Sequence, residues 1–181
     1  MSTHPPVFLT GYMGAGKTTI GRLLAKETDA AFIDLDDLIE ERNNLAIPVI
    51  FELYGEDHFR NLEREALHSL KDKENLIVAT GGGCPSFFDN IEWMNRHGIT
   101  VYLRCHPGKI FHRIAPEKQK RPLIAGMDDV DIMEFILESI KKRLPFYVQS
   151  RITVNADNEP DQVLHELLQK LDVSATSFSQ D

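Results

Sequence analysis

Residues 11–18 read GYMGAGKT, the spacing G-x-x-x-x-G-K-[ST]. An apolar run, VFLT at 7–10, precedes them, and Ile20, Leu23 and Leu24 follow at helical spacing. Strand, glycine-rich loop and helix in that order constrain the fold more than any other feature of the chain. The glycines let successive backbone N–H groups turn toward one point. The start of the helix adds a partial positive charge there. Such a cradle suits phosphate oxygens. Lys17 would reach the β- and γ-phosphates of a nucleoside triphosphate, and the Thr18 hydroxyl would reach Mg²⁺. Gly14, Ala15, Gly16, Lys17, Thr18 and Thr19 are therefore the expected nucleotide-binding residues, with ATP as co-substrate and Mg²⁺ as cofactor.

Further apolar runs alternate with helical patterns. AFIDLD at 31–36, LIVAT at 76–80, ITVYL at 99–103 and RITV at 151–154 read as strands. Asp57 can cap a helix whose apolar stripe runs through Phe59, Leu62, Ala66, Leu67 and Leu70. Helices are expected over much of 89–97, 107–115, 130–149 and 160–171. Strands separated by helices imply βαβ units and a mostly parallel sheet covered on both faces, an α/β fold of three layers, α/β/α. The length fits one domain over 1–172, with a frayed tail at 173–181. Between Pro116 and Asp129 the periodicity lapses while Lys118, Lys120 and Arg121 accumulate. A loop that long in a compact domain is either disordered or functional, often a lid.

Composition excludes several classes. The 181 residues carry a net charge of −8, so nucleic acid is not an expected partner. An anionic substrate would need a local cationic pocket. Cys84 and Cys105 form neither a CxxC nor a metal-type spacing, so a reduced, cytoplasmic protein is expected. The N-terminus lacks a signal peptide pattern, and no run is long enough for a membrane span, so no membrane partner is expected.

The acceptor site is sought beyond the carboxyl ends of the strands, beside the phosphate loop. Asp34 and Asp36 end the second strand. As i and i+2 of a strand they could share a face, one holding a metal-bound water and the other accepting a hydroxyl proton. The alternative is that one simply caps the next helix. LIVAT offers no acidic residue of its own for the metal. Gly81-Gly82-Gly83 allows close backbone approach. Glu63 lies one turn after Arg60 and can orient its guanidinium. Arg143, in KKRLPFY, reads by itself as a solvated charge or a helix-dipole partner.

Taken together, GYMGAGKTTIGRLLA, FIDLDDLIE, FRNLERE, ATGGG, RPLIAG, KRLPFY and NADNEPDQV resemble the shikimate kinase family from the phosphate loop to about residue 170. The resemblance implies the phosphate-loop kinase fold of the nucleoside monophosphate kinases. Its parallel sheet would have five strands in the order 2-3-1-4-5, with a substrate-binding region at about 36–62 and a lid at about 112–128. It implies transfer of phosphate from ATP to the 3-hydroxyl of shikimate, on the path to chorismate, by a monomer. It also implies roles. Lys17, Asp36 and Arg121 would be catalytic. Asp36, Arg60, Gly81, Gly82 and Arg143 would bind shikimate. Thr18 and Asp34 would serve the metal, and Arg113, Arg121 and Pro160 would help hold the nucleotide. Cys84, next to the glycines, is either a reactive thiol or a small buried side chain.

Two other functions share parts of this pattern. A gluconate kinase would have the phosphate loop without FRxxE, GGG and RPL together. An inactive nucleotide sensor would lack the base or the metal residues.

Overall fold

In this computed structural model, residues 4–120 and 123–178 are described. Five parallel strands form one sheet: β1 (Val7–Thr10), β2 (Ala31–Asp34), β3 (Leu76–Ala79), β4 (Ile99–Arg104) and β5 (Ile152–Asn155). Their order is β2-β3-β1-β4-β5, the order the resemblance implies. Asp34 pairs with Ala79, and Thr10 with Tyr102. The carboxyl ends of β2, β3 and β1 therefore meet at one rim.

The helices are α1 (Lys17–Glu27), α2 (Leu35–Asn43), α3 (Ile47–His68), α4 (Asn90–His97), α5 (Pro107–Ile114), α6 (Asp129–Tyr147) and α7 (Pro160–Phe178). Strand alternation sorts the core into two layers. Val7, Leu9 and Ile77 face Leu24 of α1, Ile110 of α5, Ile136 of α6 and Leu167 of α7. Phe8, Leu76 and Val78 face Leu35 of α2, Leu67 of α3 and Met94 of α4. Strands buried on both sides explain why VFLT and LIVA are continuous apolar runs.

Three boundaries differ from the sequence expectation. The second strand stops at Asp34, and Leu35 already begins α2. Asp34 is the N-cap, its side chain accepting from the Asp36 N–H at 3.2 Å. The i, i+2 strand argument therefore fails for this pair, because Asp36 lies in the first turn of a helix. Second, the helix expected at Asp57 begins at Ile47 and breaks at Gly55 (φ 79°, ψ 174°), a conformation open essentially to glycine alone. Asp57 lies beyond that break, inside the element. Third, α7 runs to Phe178, although fraying was expected from 173.

Candidate active site

Lys17 opens α1, and Gly16 before it takes the left-handed conformation (φ 96°). A side chain added at Gly16 would meet nothing within 4 Å, so this part of the loop borders open space. The Lys17 ammonium turns back along the loop, donating to the carbonyls of Gly11 at 2.8 Å and Tyr12 at 3.0 Å. Those contacts tie the cation to the cradle whose floor is the helix N-terminus.

A cavity of about 490 Å³ opens on the α5–α7 side of the loop. Gly14, Ala15, Gly16, Thr19, Arg113 and Pro160 are among its lining residues. Arg113 bridges two of its walls, donating to the Gly14 carbonyl at 3.0 Å and the Ala156 carbonyl at 3.3 Å. Six of the expected nucleotide residues thus surround one space. Arg121 lies outside the described residues.

On the other side of the loop, a cavity of about 300 Å³ is lined by Met13, Asp36, Arg60, Glu63, Gly81–Gly83 and Arg143, with apolar walls from Ile47, Phe59 and Leu123. All five residues expected to bind the acceptor lie here. Two arginines stand in the pocket beside the carboxylates of Asp36 and Glu63. Arg60 is buried and tightly held. Its Nη1 donates to Glu63 at 2.9 Å, and its Nε and Nη2 donate to Glu56 at 3.2 and 2.9 Å. Its plane stacks 3.9 Å from the Phe87 ring centroid. Arg143 lies over the Tyr12 ring at 5.4 Å, so it is neither a solvated charge nor a plain helix-end partner.

Burial pushes the Asp36 carboxyl up to about 6. The Asp34 charge adds to the rise, while Lys17 and Arg60 oppose it. Burial also pushes Glu63 up to about 7, opposed chiefly by Arg60. Glu63 Oε1 is buried without a hydrogen-bond partner. A side chain at Gly81 would sit 2.6 Å from that oxygen and 3.0 Å from Asp36 Oδ1. Part of the need for glycine is therefore room for these carboxylates, and not only room for a ligand.

The Thr18 hydroxyl donates to Asp34 Oδ2 at 2.8 Å. Two hard oxygens beside a phosphate cradle suit Mg²⁺, which keeps several waters and takes its remaining ligands from phosphates. Among the described residues no group of three or more His, Cys, Asp or Glu could hold a metal by itself. The fit is therefore to an ion that arrives with a nucleotide. Cys84 is buried, and burial raises its thiol well above the usual range, which fits the inert alternative.

Sequence reasoning missed Met13, Glu56, Phe87 and Tyr147. Glu56 and Tyr147 stand four residues from Arg60 and Arg143, a spacing that marks a shared helix face. Phe87 carries no such signal, since it reaches Arg60 only through the turn after β3.

A family model described as shikimate kinase matches residues 13–172. A shikimate kinase from Bacteroides thetaiotaomicron is 47% identical over 156 residues, covering 86% of this chain and 89% of the relative. A crystal structure of shikimate kinase from the same species superposes with a TM-score of 0.90 at 43% identity, covering 94% and 99% of the two chains. Shikimate kinase from Acinetobacter baumannii in complex with shikimate gives 0.83 at 33% identity, covering 94% of each chain. A gluconokinase from Sinorhizobium meliloti, at 14% identity and TM-score 0.64, shares the fold alone. On this evidence the chain belongs to the shikimate kinase family.

Proposed function

We propose that this protein transfers the γ-phosphoryl group of ATP to the 3-hydroxyl of shikimate, a step on the path to chorismate and the aromatic amino acids. The observation that carries the reading is the pair of cavities flanking one phosphate loop, the smaller holding two arginines and a buried carboxylate. Shikimate is an anion with a vicinal set of hydroxyls. An Arg–carboxylate pair and a hydroxyl-accepting Asp match those two features. The likeness to the Sinorhizobium meliloti gluconokinase, at 14% identity, is one of fold.

The roles are those the family resemblance implies, and the placement of the described residues supports them. ATP lies along Gly14–Thr19, with adenine between Arg113 and Pro160. Lys17 neutralises charge on the β- and γ-phosphates. Thr18 and Asp34 would hold Mg²⁺, which would supply charge neutralisation at the phosphates when bound. Arg60 and Arg143 clamp the shikimate carboxylate. Glu63 orients Arg60, and Gly81 and Gly82 border the ring. Asp36 accepts the proton of the 3-hydroxyl. The lid at about 112–128 and a role for Arg121 at the phosphates rest on the family resemblance alone, Arg121 lying outside the described residues. Nearly all of the work is positioning and charge stabilisation, as phosphoryl transfer requires. The protein acts as a cytoplasmic monomer. A coupled ADP-release assay tests the reading. Turnover with shikimate and background release with gluconate are expected; the reverse pattern would overturn it.

A further inference from the structure

The glycine turn after β3 satisfies its carbonyls in two ways. Gly81 accepts from the Cys84 N–H at 3.1 Å, and Gly83 from the Ser86 N–H at 2.8 Å, both inside the turn. Gly82 points elsewhere. Its carbonyl accepts from the Tyr147 hydroxyl at 2.5 Å, across 65 residues of chain.

Tyr147 is fully buried and stacks on Tyr102 of β4, with ring centroids 5.1 Å apart. A phenylalanine would fill this place with no polar cost, and a buried hydroxyl is tolerated where it is bonded. Its partners here are the Gly82 carbonyl, in the backbone of the acceptor pocket, and the Arg143 side chain. Tyr147 also follows Arg143 by four residues on α6, so the two share a helix face. Arg143 Nη1 lies 3.5 Å from the point a Gly82 side chain would occupy. One turn of α6 therefore presents a cation to the pocket and grips the glycine turn opposite it.

We propose that Tyr147 is a positioning residue for the acceptor. Its hydroxyl fixes the Gly82–Gly83 peptide and sets the glycine turn against Arg143. In a planar trans peptide the C=O and the following N–H point opposite ways. Holding the Gly82 carbonyl toward α6 turns the Gly83 N–H away from α6. Without the hydroxyl the peptide loses its fixed plane, the carbonyl loses its partner, and the distance from Arg143 to the turn loosens. The nucleotide cavity, on the other side of the loop, has no part in this contact.

The inference rests on shikimate as the acceptor, so wild-type turnover with shikimate comes first; its absence would count against the function and not against Tyr147. Given that turnover, Tyr147→Phe keeps the ring stack and removes the hydroxyl that meets the Gly82 carbonyl and Arg143. The expected result is a rise of about tenfold in the KM for shikimate, with the KM for ATP within about twofold of wild type. Tyr102→Phe, which strips a hydroxyl from the stacked partner, should leave both unchanged. Thermal shift provides an arm that needs no turnover: Tyr147→Phe should lose most of the shift from shikimate and keep the shift from ADP. An unchanged KM for shikimate would overturn the proposal. So would a parallel rise in both KM values, a fall in kcat alone, or an equal effect of Tyr102→Phe. A Tyr147→Phe protein with no folding transition would assign the hydroxyl to stability and overturn it as well.

Discussion

Asp36 and Glu63 flank Gly81 in the smaller pocket, and burial there raises the pKa of both carboxyls. Asn in place of Asp36 keeps the shape and removes the proton acceptor. Turnover should fall by about a hundredfold or more while ADP still shifts the melting temperature; retained turnover in a steady-state assay would remove Asp36 from its role. Lys in place of Arg60 keeps the charge and loses the planar fork that Glu56 and Glu63 now hold. The KM for shikimate should rise about tenfold or more with that for ATP unchanged. Glu63 sets a pH dependence. Burial on folding lifts its carboxyl from 4.5 to about 7, opposed by Arg60 and, less, by Arg143, with Asp36 adding to the rise. The folded protein therefore holds that proton more tightly than the unfolded chain. Its contribution to stability is full below about 4.5 and is lost as pH rises through about 7. Melting curves of the ligand-free wild type should lose stability over that window more steeply than those of Glu63→Gln.

At the scale of elements, the site depends on two abrupt changes of conformation. β2 becomes α2 at Asp34 with no connecting loop, which places the cap carboxylate beside Thr18. The break at Gly55 re-aims the first half of α3, which carries Ile47 to the pocket wall. Gly55→Ala should cost about 1–3 kcal/mol in urea denaturation. It should also raise the KM for shikimate, because the wall moves with the helix. The break at Gly55 was not legible in the residues, and the turn at Asp34 only as the open alternative that one of the two aspartates caps the next helix. FIDLD alternates as a strand would, and its helical half is decided by capping and by Leu35 and Ile39 packing beneath the sheet. Gly55 looks like any surface glycine until the helix on each side of it is seen. The phosphate loop was legible because its chemistry is local: glycines, lysine and threonine at fixed spacing need no distant partner.

Across the whole molecule, parallel strand order follows from alternating strands and helices, but the order 2-3-1-4-5 came only through family resemblance. Pocket membership divided the same way. Asp36, Arg60, Glu63, Gly81 and Arg143 were recoverable because they sit in short motifs, whereas Phe87 meets Arg60 only through tertiary packing. Arg143 is the instructive case: in sequence it belongs to a solvated basic helix end, and in the fold it lies over Tyr12 of the phosphate loop. That contact ties a cation of the acceptor pocket to the phosphate loop. The central claim is that this pocket selects the phosphoryl acceptor. Phosphorus NMR of the protein incubated with ATP, Mg²⁺ and shikimate tests it most directly. The expected result is a new phosphomonoester signal coupled to the proton on carbon 3 of the ring, and no such product with gluconate. A phosphomonoester of gluconate, or ATP consumed with shikimate left unmodified, would contradict it.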